Sequence, residues 1–297
     1  EKNEIGGSTI YQDSDFFKVE NKKSSEWVKN EIIELKKLNN LEIKTRTSVA
    51  AFHSHNYLLA RENLTDHLNK EEKKNKVRQR LLKIRAKNVI IATGSIERPL
   101  VFNNNDRPGI MLSSAVKKYA DYYGVVCGKK TVFFTNNDSA YESAISLNKK
   151  GLSVEAIIDI REKSDSELVK EVEKIGIQIY WSHTVVDARG YKRLKEIIIM
   201  PLSKDGMSVI EKKINLKCDC LAIAGGWTPA VHLFTQSGGK LEFREEDQVF
   251  LPNVSQSKQI SIGSCNGDFK LNEIIKNLLI NVKNFLEIES SEYDNLN

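Results

Sequence analysis

The stretch Asn88 to Ala92, apolar from its second residue on, runs straight into Thr93-Gly94, and the arrangement returns where Cys220 to Ala224 runs into Gly225-Gly226. A strand without polar alternation is covered on both faces, as strands inside a parallel sheet are. Small residues directly after it mark the carboxyl edge, where open α/β sheets keep their ligand crevice. Two such junctions, one in each half, constrain the chain to two α/β repeats.

The elements around the junctions keep to the same plan twice. In the second half, Thr131 to Phe134 reads as a buried strand, Ser139 to Lys149 as a helix stopped by Gly151, and Ser153 to Asp159 as the next strand, a β-α-β unit. A helix from Ser164 to Lys174, a strand from Ile177 to Trp181 and a meander over Thr184–Ala188, Glu196–Met200 and Ile214–Leu216 lead to the second junction. In the first half, Trp27, Val28, Ile32, Leu35 and Leu38 recur at helical spacing up to Asn39-Asn40. Alternation from Leu41 to Arg61, a charged solvent-facing hairpin or loop from Asp66 to Lys76 and a strand from Gln79 to Arg85 then predict a meander. A helix from Ser113 to Tyr122 comes after the first junction. The last strand, Gln259 to Ile262, ends in Gly263-Ser264 and precedes a helix from Leu271 to Leu286, so the final segment is expected to return to the first domain.

The fold class expected is therefore α/β, with two interleaved Rossmann-like dinucleotide-binding domains carrying β-meander insertions. Residues 1–123 with 248–297 form the first domain and 124–247 the inserted second. The chain opens at Glu1 and reaches Gly6-Gly7 at once. It reads as a fragment whose first strand and glycine turn lie upstream, with weak or absent dinucleotide binding by these 297 residues alone as the corollary.

Composition narrows the function classes. With 40% apolar and 29% charged residues, 297 residues suffice for two cores. The net charge of +5 comes from scattered lysines, densest in Glu71 to Arg80, with no arginine stripe interleaved by aromatics, which argues against nucleic acid. Apolar runs stop well short of the about 20 residues a membrane span needs. With no targeting segment visible either, a soluble cytoplasmic protein is expected.

The cysteines, Cys127, Cys218, Cys220 and Cys265, form neither a zinc pair nor a Cys-x-x-Cys, which disfavours a stand-alone disulfide reductase. Cys218 and Cys220 read as buried or half-buried structural thiols. His53, His55, His67, His183 and His232 pair with no carboxylate at ligand spacing and read as surface or packing residues, so no metal site and no catalytic residue is assigned.

Five strings carry a closer likeness: NYLLARENLTDHL from Asn56, QRLLKIRAKNVIIATGSIERPL from Gln79, NDRPGIM from Asn105, TNNDSAY from Thr135 and GGWTPAVHLFTQSGGK from Gly225. Across nearly the whole chain the sequence resembles the alpha subunit of heterotetrameric sarcosine oxidase. That resemblance implies an alpha subunit that carries NAD, borders an FMN site and ends in a tetrahydrofolate-binding domain, with beta, gamma and delta subunits as partners. FAD on the beta subunit would oxidise the amine, and electrons would pass through FMN to oxygen. This chain would hold the NAD-binding portion but neither the folate domain nor the amine-oxidising FAD. Opine, proline or other amine dehydrogenases, which share the ATG and PGIM-like strings, are the rival reading. A scaffold that has lost its cofactor is another.

The resemblance and the small-residue turns together nominate cofactor residues. Glu1 stands where the family has an acid at the end of the second strand, able to accept from both adenosine ribose hydroxyls, or it is merely a chain end. Gly6, Gly7 and Ser8 let the backbone approach a dinucleotide, with a simple turn as the alternative. Val49 and Ala50 offer backbone to adenine or pack as core strand. Ala92, Thr93 and Gly94 give a small-residue floor with one hydroxyl. Gly263-Ser264 stands where FAD-binding relatives carry Gly-Asp; without that aspartate, and with Asp268 too late to substitute, NAD is the better occupant.

The second domain's Thr135-Asn136-Asn137-Asp138 turn has no glycine and places a carboxylate where pyrophosphate would sit. It reads as structural or as flavin-border surface, with Ser139 and Glu142 in a capping-box pattern. Trp227 and Phe234 line that border or pack in a core.

Overall fold

The computed structural model describes residues 2–11, 18–19 and 21–286. The chain divides into two compact units, Glu1–Ile96 with Thr228–Asn297, and Glu97–Trp227. This division falls earlier in the chain than the expected boundaries at 123/124 and 247/248. The reason is pairing: the strand Ile110–Leu112 joins the sheet of the second unit beside Cys220–Ala224, and the helix Ser113–Tyr123 packs on the helix Ser139–Lys149. The hairpin Lys240–Arg244 and Val249–Val254 falls in the first unit.

The second unit is built on a five-stranded sheet in the order Gln178–Trp181, Val154–Asp159, Thr131–Thr135, Cys220–Ala224, Ile110–Leu112, every pair parallel. Its central strands are apolar because both faces are covered: Val132, Phe133, Ile157, Ile158, Leu221 and Ala222 are all fully buried. A three-stranded antiparallel meander, His183–Arg189, Glu196–Pro201 and Ile214–Lys217, adds Val185, Ile197 and Ile199 to the same core. The NDRPGIM string and the two asparagines before it tie this meander to the sheet. Asn104 donates to the Asp187 carboxylate at 2.8 Å, with Asn103 at 3.0 Å on the same oxygen. Arg107 donates to the Gly190 carbonyl, and the Leu194 N–H reaches the Pro108 carbonyl at 2.8 Å. A Cβ on Gly109 would lie 2.8 Å from the Asp219 carbonyl oxygen, so only glycine fits that crossing.

In the first unit, Val89–Ile91 pairs in parallel with Gln259–Ser261, so the last segment does return to the first repeat. The meander Thr47–His53, Tyr57–Asn63, Gln79–Arg85 is antiparallel throughout. Phe52, Leu58, Ile91, Phe234 and Cys265 form its core cluster, which makes Phe234 a packing residue. Two expectations are corrected. Leu41 to Lys44 forms no strand, and the ladder begins at Thr47; alternation without a partner does not make a strand, and Leu41 is left exposed. The charged loop contains one helical turn, Lys70–Lys73, closed by a reciprocal Asn69–Glu72 capping box. No helix among the described residues is long and apolar enough to cross a membrane.

Candidate functional site

The parallel pair in the first unit brings two small-residue turns side by side at its carboxyl end. Ile91 is buried and its carbonyl accepts the Ile262 N–H at 2.9 Å and the Cys265 thiol at 3.3 Å, which anchors the two strand ends. Beyond that point the chain opens. Ala92 and Thr93 are exposed, and Gly94 and Gly263 adopt φ of 79° and 71°, a region that favours glycine. A Cβ on Gly94 would meet only the Ser264 Oγ, at 3.9 Å, so backbone conformation demands the glycine and the space before it is free. Ser261 Oγ, one residue before this turn, is buried without a hydrogen-bond partner among the described residues.

The Thr93 hydroxyl is already engaged. It donates to the Ala230 carbonyl at 2.7 Å, while the Ala230 N–H donates to the Gly94 carbonyl at 3.0 Å. These two bonds brace the turn and leave the Thr93 oxygen as an acceptor only. Sequence reading missed Ala230, because a bond across 137 positions leaves no local signal. Asp268 also comes closer than its place in the chain suggests: the short helical turn Gly263–Asn266 brings its N–H to the Gly263 carbonyl at 3.3 Å. Burial, and then the charge of Glu273, holds the Asp268 carboxyl above the usual range.

The remaining candidates occupy other parts of the unit. Val49 and Ala50 are exposed on the first meander strand, and Ala50 is skipped in the ladder between Val49–Ala60 and Ala51–Leu59. It is the extra residue of a bulge, with its backbone left out of the pairing. Gly6 has φ of 107°, and a Cβ there would lie 2.4 Å from Ile10 and 3.2 Å from Val28. Its smallness serves packing against the helix Ser24–Leu35. Gly7 and Ser8 are exposed, and the Ser8 carbonyl accepts the Tyr11 N–H at 3.3 Å. Glu1 lies outside the described residues. Cys218 and Cys220 are buried, free thiols pushed up to about 12 by burial.

A model of the pyridine nucleotide-disulphide oxidoreductases matches residues 13–260. The chain belongs to that family. Its FAD/NAD(P)-binding, Rossmann-type architecture accounts for the paired units and their meanders. The chain is also similar to sarcosine oxidase alpha subunits: it is 34% identical over 271 residues to that of Corynebacterium sp. strain P-1, covering 91% of this chain and 27% of the relative. To the Rhizobium meliloti alpha subunit it is 30% identical over 268 residues, covering 88% of this chain and 25% of the relative. It thus spans about a quarter of these relatives. Among solved structures, thioredoxin reductase of Lactococcus lactis superposes with a TM-score of 0.65 at 15% identity, covering 97% of this chain and 90% of that one. L-proline dehydrogenase of P. horikoshii gives 0.63 at 21% identity, covering 96% of this chain and 52% of that one. At such identities these likenesses bear on the fold alone. The family's disulphide chemistry needs a dithiol, and no Cys-x-x-Cys occurs in this sequence.

Proposed function

We propose that this chain is the dinucleotide-binding portion of a flavin-dependent amine oxidase of the sarcosine oxidase type, and that its first unit holds NAD against Ala92, Thr93, Gly94 and Gly263. The observation that carries the reading is the open floor at the carboxyl end of the parallel pair. Exposed small residues lie there beside two positive-φ glycines, with nothing within 3.9 Å of the Gly94 Cβ position. The residues fit the group: a pyrophosphate needs close backbone approach, and the buried Ser261 hydroxyl has no partner among the described residues. The bulged backbone at Ala50 suits the adenine end, and Gly7 and Ser8 present an exposed turn to the same class of ligand. When bound, a pyridine dinucleotide supplies a ring able to accept hydride, or binding energy alone if it is held permanently. This chain's residues bind and orient; the turn braced by Ala230 fixes the floor, and the acceptor-only oxygen of Thr93 favours a donor on the ligand.

On this reading the chain borders an FMN site and works with beta, gamma and delta subunits. FAD held by a partner would take two electrons from the amine, so that the assembly would convert sarcosine to glycine with the one-carbon unit passing to tetrahydrofolate and the electrons to oxygen. The test is to purify the intact assembly, identify the cofactors it releases, and assay sarcosine beside proline and opines. Release of NAD with sarcosine turnover is expected. An assembly free of NAD, or one turning over proline or an opine and not sarcosine, refutes the respective half.

A further inference from the structure

We infer that the second unit is a dinucleotide fold whose nucleotide cleft is filled by its own side chains, so that it serves as scaffold and takes no dinucleotide. A nucleotide site at the carboxyl edge of such a sheet has three parts: a glycine turn for the pyrophosphate, an acid at the end of the second strand for the ribose, and a small-residue floor. Each part of the second unit has been put to another use.

The turn after the strand Thr131–Thr135 is occupied by amides. The Asn137 Nδ2 donates to the Ala224 carbonyl at 3.1 Å, across the two strand ends, and its Oδ1 accepts the Ser139 N–H at 3.0 Å and the Ser139 hydroxyl at 2.6 Å. The Thr135 hydroxyl bonds the Asn137 carbonyl and the same Ala224 oxygen, at 2.8 and 3.1 Å. A phosphate seeking the free N–H groups of this helix start finds one of them taken.

The acid is saturated. Asp159 ends the second strand and is fully buried. Its carboxylate accepts from the Tyr141 hydroxyl at 2.8 Å, from the Arg161 main-chain N–H at 2.9 Å, and from Arg161 Nε and Nη2 at 3.1 and 2.8 Å. Four donors fill the roughly four acceptor positions a carboxylate offers, and none remains for ribose hydroxyls. Arg161 also reaches Asp138 at 2.8 Å, so the carboxylate that would repel pyrophosphate is tied into the same network.

The floor is covered. A Cβ on Gly225 would lie 2.8 Å from the carbonyl oxygens of both Arg98 and Pro99, and main-chain bonds of 2.7 and 2.8 Å join Arg98 to Gly225 and Gly226. These glycines admit the chain's own backbone. The contrast with Gly94, whose Cβ position stands free, lies within one molecule.

Hydrogen exchange on the intact subunit, with and without saturating NADH, reads the two clefts separately. Slowed exchange at 91–94 and 262–267, with 135–141 and 159–161 unchanged, is expected, together with no more than one NADH per chain by equilibrium dialysis. Protection at 135–141 or 159–161, or a second equivalent of NADH, overturns the inference. Protection at neither cleft supports it while refuting the assignment of NAD to the first unit.

Discussion

At Thr93 a single hydroxyl braces the turn on an exposed residue proposed to meet the cofactor, and substitution separates the two roles. Thr93→Val keeps the shape and removes the bond to Ala230, so a stability loss of about 1 kcal/mol is expected. Cofactor content should fall little if the oxygen only accepts, and Thr93→Ser should restore the stability; a thermal melt and the NAD content of the purified assembly decide. NAD lost without any change in melting would place the hydroxyl on the ligand instead. Glu97 poses the opposite case, a carboxylate buried at the start of the second unit. It accepts the Ser114 N–H at 2.8 Å, and its other oxygen has no partner among the described residues. Burial raises its pKa and outweighs the bonds from Ser114 that lower it. A raised folded value means the neutral acid is favoured in the fold, so this contribution is present below the ordinary carboxylate pKa and lost as pH rises through the raised one. Glu97→Gln should flatten that loss, seen as a smaller fall in denaturation midpoint from acid towards neutral pH. An unchanged pH profile would exclude Glu97 as its source.

At the level of elements, the helix Ser139–Lys149 shows where local sequence rules stop. The Ser139/Glu142 pattern predicts a capping box, yet Asn137 caps the helix and Glu142 pairs with Lys117 at 3.4 Å. The sequence pattern is satisfied by either arrangement; the strand-end carbonyl of Ala224, remote in sequence, selects the second. Asn137→Ala therefore removes a cap and leaves that buried carbonyl with fewer donors. A loss of about 1–2 kcal/mol in chemical denaturation is expected, and a loss near zero would reassign the cap. The same limit explains which elements could be read beforehand. The parallel strands around Val132 and Leu221 and the helices with one apolar face announce themselves by period. The turn at Thr93-Gly94 does so by its small residues, set directly after an apolar strand. The hairpin Lys240–Arg244 with Val249–Val254 buries Val249 and Leu251 but exposes Phe243 and Phe250, so both of its faces carry apolar residues and alternation does not mark it in the sequence. Asp159 was legible as a strand end, but its saturation by Tyr141 and Arg161 depends on three-dimensional placement. The signal available was an arginine two residues beyond a strand-end acid.

For the whole molecule, the two units differ in how completely they are cored. The unit Glu97–Trp227 has five parallel strands, covering helices and a meander packed on one apolar cluster, and its size, about 130 residues, is that of a common independent domain. In the other unit, the parallel sheet among the described residues has two strands, and the core cluster around Phe52, Ile91 and Phe234 is smaller than the one around Val132, Ile158 and Leu221. Less buried apolar area stabilises a fold less, so this unit should be the weaker. Heating the 297-residue chain should then give two transitions, the lower one opening 2–96 and 228–286 by hydrogen exchange. Residues 97–227 expressed alone should unfold cooperatively, with matching calorimetric and van't Hoff enthalpies. One shared transition for the chain, together with an unfolded 97–227 piece, would show that the second unit draws its stability from the first.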